Sequence, residues 1–68
     1  MDAAERGIRV DELNEGCWRL ALEAEGSLGL RDAVTARYDM LARLLADRVG
    51  LQPAHETTTV YRRLLAQA

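Results

Sequence analysis

The chain has 68 residues and a formal net charge of −2, so it forms one domain at most. A sequence-independent DNA or RNA binder needs an excess of positive charge to displace counterions from phosphate, and this composition disfavours that class of protein. The single cysteine excludes an intrachain disulfide and a cysteine-rich metal site.

The composition indicates an all-α protein of the cytoplasm. The apolar residues are mainly Leu, Ala and Val, with no Phe, so helix formers dominate and strand formers are few. One unpaired cysteine suits a reducing compartment. The N-terminus has no basic segment followed by an apolar one, as a signal peptide would, and no apolar run is long enough to cross a membrane.

Glycines divide the chain into helices. Gly7, Gly29 and Gly50 each end a helix-prone stretch and are followed by an apolar residue. This is the Schellman pattern, in which glycine adopts the left-handed conformation and the next apolar side chain folds back onto the last turn. Gly16 and Gly26 lie inside a helical stretch, where glycine costs about 1 kcal/mol relative to alanine. We expect these two at crowded helix contacts or near a helix end.

The first full helix is predicted over residues 11–28. Asp11 is suited to its N-cap, because its carboxylate can accept a free backbone N–H of the first turn. The main apolar stripe has the spacing of a buried helix face; it consists of Leu13, Cys17, Leu20, Ala21, Ala24 and Leu28. Trp18 and Leu22 form a second stripe beside it. Two stripes predict two neighbours, so we expect this helix to be sandwiched.

Two further helices are predicted, over residues 32–49 and 55–66. The buried face of the second consists of Val34, Tyr38, Leu41, Leu45 and Val49, widened by Ala33, Met40 and Leu44. The apolar face of the third consists of Thr57, Val60, Tyr61, Leu64 and Leu65. Its threonines are poor helix formers, so tertiary packing must hold its first half.

These elements predict one helical domain over residues 1–68, an antiparallel helical hairpin followed by a C-terminal helix. Residues 2–6 have the pattern of a helix end, which indicates either an excised piece of a longer protein or a protein that starts with one helical turn. A hairpin cannot bury both of its faces alone. We therefore expect an apolar surface near residues 2–22 to be covered by another repeat or by a second copy of the chain.

No residue pattern indicates catalysis, and we predict no catalytic residue, metal site or cofactor. His55 is the only histidine and has no identifiable nucleophile or carboxylate partner. Four carboxylates recur along the first helix, namely Glu12, Glu15, Glu23 and Glu25. Without a Glu-x-x-His motif they are interpreted as a solvated face. Arg62 and Arg63 are too few to form a basic patch.

The candidate functional residues are therefore core or interface residues. Cys17 is interpreted as a small hydrophobe, with a reactive or intermolecular thiol as the alternative. Trp18 is interpreted as a buried anchor, with an exposed hot spot for a partner as the alternative. The full set is Leu13, Cys17, Trp18, Leu20, Leu22, Tyr38, Leu41, Leu45, Tyr61 and Leu64.

The C-terminal part of the chain has a distinctive order of residues. Gly29-Leu30-Arg31-Asp32-Ala33-Val34 and Tyr38 precede Leu44-Leu45, Val49-Gly50-Leu51-Gln52-Pro53, Glu56-Thr57 and Tyr61-Arg62-Arg63-Leu64-Leu65. With these residues the chain resembles the bacterial transcriptional activation domain of regulators such as the Streptomyces antibiotic regulatory proteins. The resemblance covers Gly29–Leu65 and extends through Trp18 and the alanines of the first helix.

The resemblance implies a run of tetratricopeptide-like helical hairpins that contacts proteins, while a winged helix elsewhere in the regulator reads DNA. The implied partners are neighbouring helical repeats, a second copy or the transcription machinery, with no direct nucleic acid and no membrane. A free-standing helical adaptor or homodimer without a transcriptional role is the alternative. The family often has Ser-Pro in the elbow between the last two helices, which is Gly50–Pro53 in this chain, whereas Ala54 and His55 follow Pro53 here. Without the capping serine, we expect the third helix to fray at its start.

Overall fold

The computed structural model describes Ile8 and residues 11–67, and between residues 11 and 67 it contains three helices and no strand. The helices are α1 (Glu15–Ser27), α2 (Arg31–Val49) and α3 (His55–Ala66). This confirms the predicted all-α fold. The predicted helix end at residues 2–6 and the glycine stop at Gly7 lie outside the described residues.

Glycine ends both α1 and α2. Gly29 and Gly50 have φ angles of 73° and 67°, a conformation that is strained for residues with a Cβ atom. At the end of α1, the Leu30 N–H donates to the Glu25 carbonyl at 3.0 Å, as in a Schellman motif. The apolar side chains that follow these glycines stay largely accessible, since Leu30 and Leu51 are 48% and 62% exposed.

The first helix begins later than predicted, because Asn14 and not Asp11 is its N-cap. The Asn14 side chain accepts a hydrogen bond from the Gly16 N–H at 3.0 Å. The Asp11 carboxylate accepts from the Leu13 N–H at 3.1 Å, so this aspartate stabilises a separate turn before the helix. Aspartate and asparagine are both good N-cap residues, and in this structure Asn14 takes the position.

Contacts at both ends of the hairpin show that α1 and α2 are antiparallel. Glu12, just before α1, pairs with Arg48 near the end of α2 at 3.2 Å. Glu25, near the end of α1, pairs with Arg37 in the first half of α2 at 2.6 Å. The loop around Gly29 therefore reverses the chain direction, as the hairpin prediction requires.

The hydrophobic core is centred on the hairpin. Its main cluster consists of Trp18, Leu41 and Leu45, with Ile8 and Leu44 packed partly buried against it. Ala21, Leu22 and Val34 are also buried. The Trp18 indole N–H donates to the Glu12 carbonyl at 2.8 Å. The large ring is thus buried while its one polar atom keeps a hydrogen-bond partner.

The start of α3 is bound by side chains of α1, and this contact sets α3 parallel to α1. The fully buried Thr57 hydroxyl donates to the Glu15 carboxylate at 2.7 Å and accepts from the Arg19 guanidinium at 3.0 Å. The same Glu15 oxygen accepts from the backbone N–H of Ala54, the N-cap of α3, at 2.9 Å. Glu15 thereby supplies from another helix the carboxylate that a capping box takes from within its own helix.

Two further contacts continue the packing along α3. The rings of Tyr38 and Tyr61 stack with centroids 4.0 Å apart and planes within 3°, and the Tyr38 hydroxyl lies 3.0 Å from the Thr58 hydroxyl. Gly26 marks a close approach of α1 to α3, since a Cβ atom there would lie 2.5 Å from a methyl group of Leu64. This glycine occupies the crowded helix contact that the sequence indicated.

Replacing Glu15 with alanine should lower the free energy of unfolding by about 1–2 kcal/mol, because the Ala54 N–H and the buried Thr57 hydroxyl lose a shared acceptor. Urea unfolding followed by circular dichroism at fixed protein concentration measures the change. Glu23→Ala is the matched control, since it removes another α1 carboxylate that pairs with α3. Its pair with Arg63 is about half exposed, so we expect a loss of at most about 0.5 kcal/mol. Equal losses in the two variants would contradict the capping role.

Gly26→Ala should destabilise the chain although alanine favours helix, because the added methyl group needs space that Leu64 occupies. In a Leu64→Ala background the same substitution should stabilise the chain by up to about 1 kcal/mol. A double-mutant cycle of unfolding free energies measures this change of sign. The same effect in both backgrounds would show that the two positions are not coupled.

Candidate interaction surface

Every charged side chain of α1 is directed toward another part of the same chain. These side chains are Glu15, Arg19, Glu23 and Glu25. The first two bind the start of α3, the third pairs with Arg63, and the fourth pairs with Arg37 through two contacts of 2.6 and 3.2 Å. A helix of a small domain usually turns its charged face to water. The predicted solvated face of carboxylates is therefore wrong for Glu15 and Glu25, which form inter-helix contacts.

The opposite half of α1 carries an uncharged and largely apolar surface, which we call the open stripe. It consists of Leu13, Cys17, Leu20, Ala24 and Leu28, flanked by Gly16 and Ser27. Leu20 and Leu28 are 61% and 72% exposed, and Leu13 is 40% exposed. Helical periodicity places Cys17, Leu20 and Ala24 on the side of α1 that faces away from the residues contacting α3, while Leu13 lies in the turn before α1 and Leu28 is its C-cap.

Of the two stripes on α1 that were predicted to be covered, the structure buries the second and leaves most of the main stripe exposed. Trp18 and Leu22, the second stripe, are buried at 2% and 0% exposure, whereas Leu20 and Leu28 of the main stripe face solvent. Only Ala21 of the predicted main stripe is buried. The physical reason is that α2 and α3 both pack on the side of the helix that bears the tryptophan. Periodicity identifies an apolar face without showing what covers it.

The remaining candidates from the sequence lie in the core or at the contact with α3. Leu41 and Leu45 are buried beside Trp18. Tyr38, Tyr61 and Leu64 are half-buried, as is Cys17 on the open stripe. The candidate set therefore divides into side chains that hold the helices together and side chains, led by Leu13 and Leu20, that remain accessible.

A separate apolar depression lies on the side of the hairpin that α3 does not cover. It is lined by Ile8, Glu12, Trp18, Met40 and Leu44. Met40 is 60% exposed and Val49 is 47% exposed, so their predicted burial on α2 is wrong. Within residues 11–67, α3 packs on one side of the hairpin only, and these two side chains are left uncovered.

The described residues contain no group of three or more His, Cys, Asp or Glu side chains that could hold a metal ion. His55 is exposed, and its ring lies 3.4 Å from the Thr59 hydroxyl of the next helical turn. Among the described helices, none combines the length and the apolar character that crossing a bilayer requires.

Sequence reasoning did not identify Glu15 and Thr57 as a linked pair. The two residues are 42 positions apart, and neither belongs to a local motif that predicts their contact. The one available signal was indirect. A threonine-rich helix start without its own capping side chain needs an acceptor from elsewhere in the fold.

Comparison with known proteins gives a family for the chain. The family model of the bacterial transcriptional activator domain matches residues 1–65, a range that contains the open stripe and the C-terminal segment up to Leu65. No curated protein and no solved structure matches the chain significantly. The family consists of domains of transcription regulators and is not a catalytic family. The resemblance inferred from the elbow at Gly50 and from the Tyr61 segment is thus confirmed, and the chain belongs to the bacterial transcriptional activator domain family.

Proposed function

We propose that this chain is a protein–protein interaction module of a bacterial transcriptional regulator, acting in the cytoplasm, and that it does not itself read DNA. The observation that supports this proposal is the distribution of side chains on α1, which is the reverse of that on a typical surface helix. Its four charged side chains contact α2, α3 or the elbow between them, while the open stripe presents exposed leucines to solvent. Contiguous apolar surface on a small protein marks an interaction site.

The composition of the open stripe indicates what kind of partner fits it. The stripe has no charged residue, so it offers nothing to pair with a phosphate, a basic peptide or an acidic peptide. Gly16 and Ala24 are small, which lets the backbone of a partner helix come close, and Leu20 projects between them. An amphipathic helix that buries its own apolar face is the complementary ligand.

The charge distribution argues against direct DNA binding. Four of the seven arginines within residues 11–67 pair with glutamates, namely Arg19, Arg37, Arg48 and Arg63. A formal net charge of −2 then leaves too little free positive charge for counterion release from a duplex. DNA recognition would belong to another part of the regulator.

A reporter assay tests the interaction role. The chain is fused to a heterologous DNA-binding domain that binds its operator as a monomer beside a weak bacterial promoter, and we expect transcription to rise several-fold. Leu20→Glu should abolish the increase, because it places a carboxylate in an apolar contact. Leu51→Glu is the matched control, since Leu51 is 62% exposed, like Leu20, but lies on the elbow outside the open stripe. Equal transcription from the fused and the unfused DNA-binding domain would contradict the proposal.

The chain alone should not retard a DNA duplex in a gel-shift assay at low salt, at protein concentrations up to about 10 µM, where non-specific DNA binders already associate. Arg62→Glu and Arg43→Glu change exposed arginines, and they should leave this result unchanged. A shift that weakens with added salt and with either substitution would show that the chain contacts phosphates itself.

A further inference from the structure

We propose that the side of the hairpin that α3 leaves uncovered is a docking groove for a basic amphipathic helix of another protein. This surface, which we call the Met40 groove, consists of three adjoining depressions that all share Met40. It runs along the junction of α1 and α2 and contains no residue of the open stripe. The inference therefore goes beyond the proposed function, because it adds a second surface and the chemistry of its partner.

The floor of the Met40 groove has the form of a helix-binding surface. Ala33, Ala36, Met40 and Leu44 follow one another at intervals of three, four and four residues, so they lie on one side of α2. Met40 is 60% exposed, and the small alanines before it leave room for the side chains of a partner. Methionine is unbranched and adapts its shape to what it contacts. The row is about 16 Å long, which corresponds to three turns of a bound helix.

The wall of the Met40 groove toward α1 is electrically neutral. Glu25 and Arg37 line one end of the groove and pair with each other at 2.6 Å. Glu12 lines the other end and pairs with Arg48 at 3.2 Å. Because each carboxylate already has a guanidinium partner, this wall does not select the charge of the occupant.

The opposite wall carries acidic side chains without partners. Asp32, Asp39 and Asp47 lie seven and eight residues apart on the solvent-facing side of α2, and all three are exposed. None of them forms a salt bridge with any residue that the structure describes. Arg43 is the basic residue of this wall and lines the groove beside Asp39. Three carboxylates and one guanidinium give the wall a net charge of −2.

These charges distinguish between the candidate occupants. A basic helix is attracted along the acidic wall while its apolar side chains cover Met40, which is the helix-in-groove mode of recognition. A second copy of the chain would bring two acidic walls together, and a nucleic acid or an anionic membrane would be repelled. A cationic amphipathic helix is thus complementary to the groove in both charge and apolar surface.

Two helical peptides of about five turns test the inference. The basic peptide has a leucine stripe flanked by arginines on both sides, and the acidic peptide has glutamates in place of those arginines. We expect the full chain to bind the basic peptide at least about 10-fold more tightly at low salt, and we expect added salt to reduce the difference. Fluorescence anisotropy of labelled peptides measures both affinities. Equal affinities, or no binding of either peptide, would overturn the inference.

Methyl NMR locates the bound peptide on the chain. The sequence has only two methionines, so a methionine-labelled sample gives two methyl signals, and Met40→Leu identifies the signal of Met40. We expect the basic peptide to shift this signal in proportion to its binding. A Met40 signal that stays in place at saturating peptide would show that the peptide binds elsewhere.

Substitutions separate the acidic wall from the apolar floor. Asp39→Asn/Asp47→Asn removes two charges without changing side-chain size, and it should weaken binding of the basic peptide by about 10-fold. Glu23→Gln/Glu56→Gln is the matched control, since it removes two exposed carboxylates outside the groove. Equal weakening in the two variants would contradict the role of the wall. Met40→Glu should abolish binding, because it places a carboxylate in the apolar contact. Circular dichroism confirms that each variant is helical.

Leu20→Glu on the open stripe distinguishes this inference from the proposed function. We expect it to leave binding of the basic peptide unchanged although it abolishes the increase in transcription. If Leu20→Glu removes peptide binding and Met40→Glu does not, the peptide binds the open stripe, so the inference is overturned and the proposed function stands.

Discussion

The carboxylate of Glu15 joins the two parts of this fold. One of its oxygens accepts hydrogen bonds from the backbone N–H of Ala54, the N-cap of α3, and from the buried hydroxyl of Thr57. Arg19 completes the site from the next turn of α1. Because these groups lie on one side of α1, they hold the third helix there, and the opposite side of α1 is left facing solvent.

The local features of the chain could be predicted from its sequence, because their causes are local. Gly29 and Gly50 stop helices by adopting a conformation that only glycine takes easily, and α3 has the predicted bounds because Pro53 and the following residues fix where it can begin. The competition between Asp11 and Asn14 for the cap of α1 could not be decided in this way. Both are good caps, and the outcome depends on the turn that Asp11 forms with Leu13.

The assignment of the buried stripe required information that periodicity does not contain. Trp18 and Leu22 are covered because α2 and α3 both lie on their side, and the contacts that bring α3 there join residues some 40 positions apart. Leu20 has the same apolar character as Leu22, yet one is 61% exposed and the other is fully buried. Hydrophobic spacing shows that a face must be covered. It does not show whether the residues that cover the face belong to the same chain. This question concerns the exposed leucines of α1 in particular.

The two halves of α1 therefore differ in what they contact. One half packs against α2 and α3 through Trp18 and the carboxylates, and the other half is largely exposed to solvent. Under the proposed function, sequence changes at Leu13, Cys17, Leu20 and Ala24 would alter which proteins associate without unfolding the helices. Such a module would diverge in its associations during evolution while its scaffold stays constant, because selection on binding and selection on folding would act on different sides of one helix.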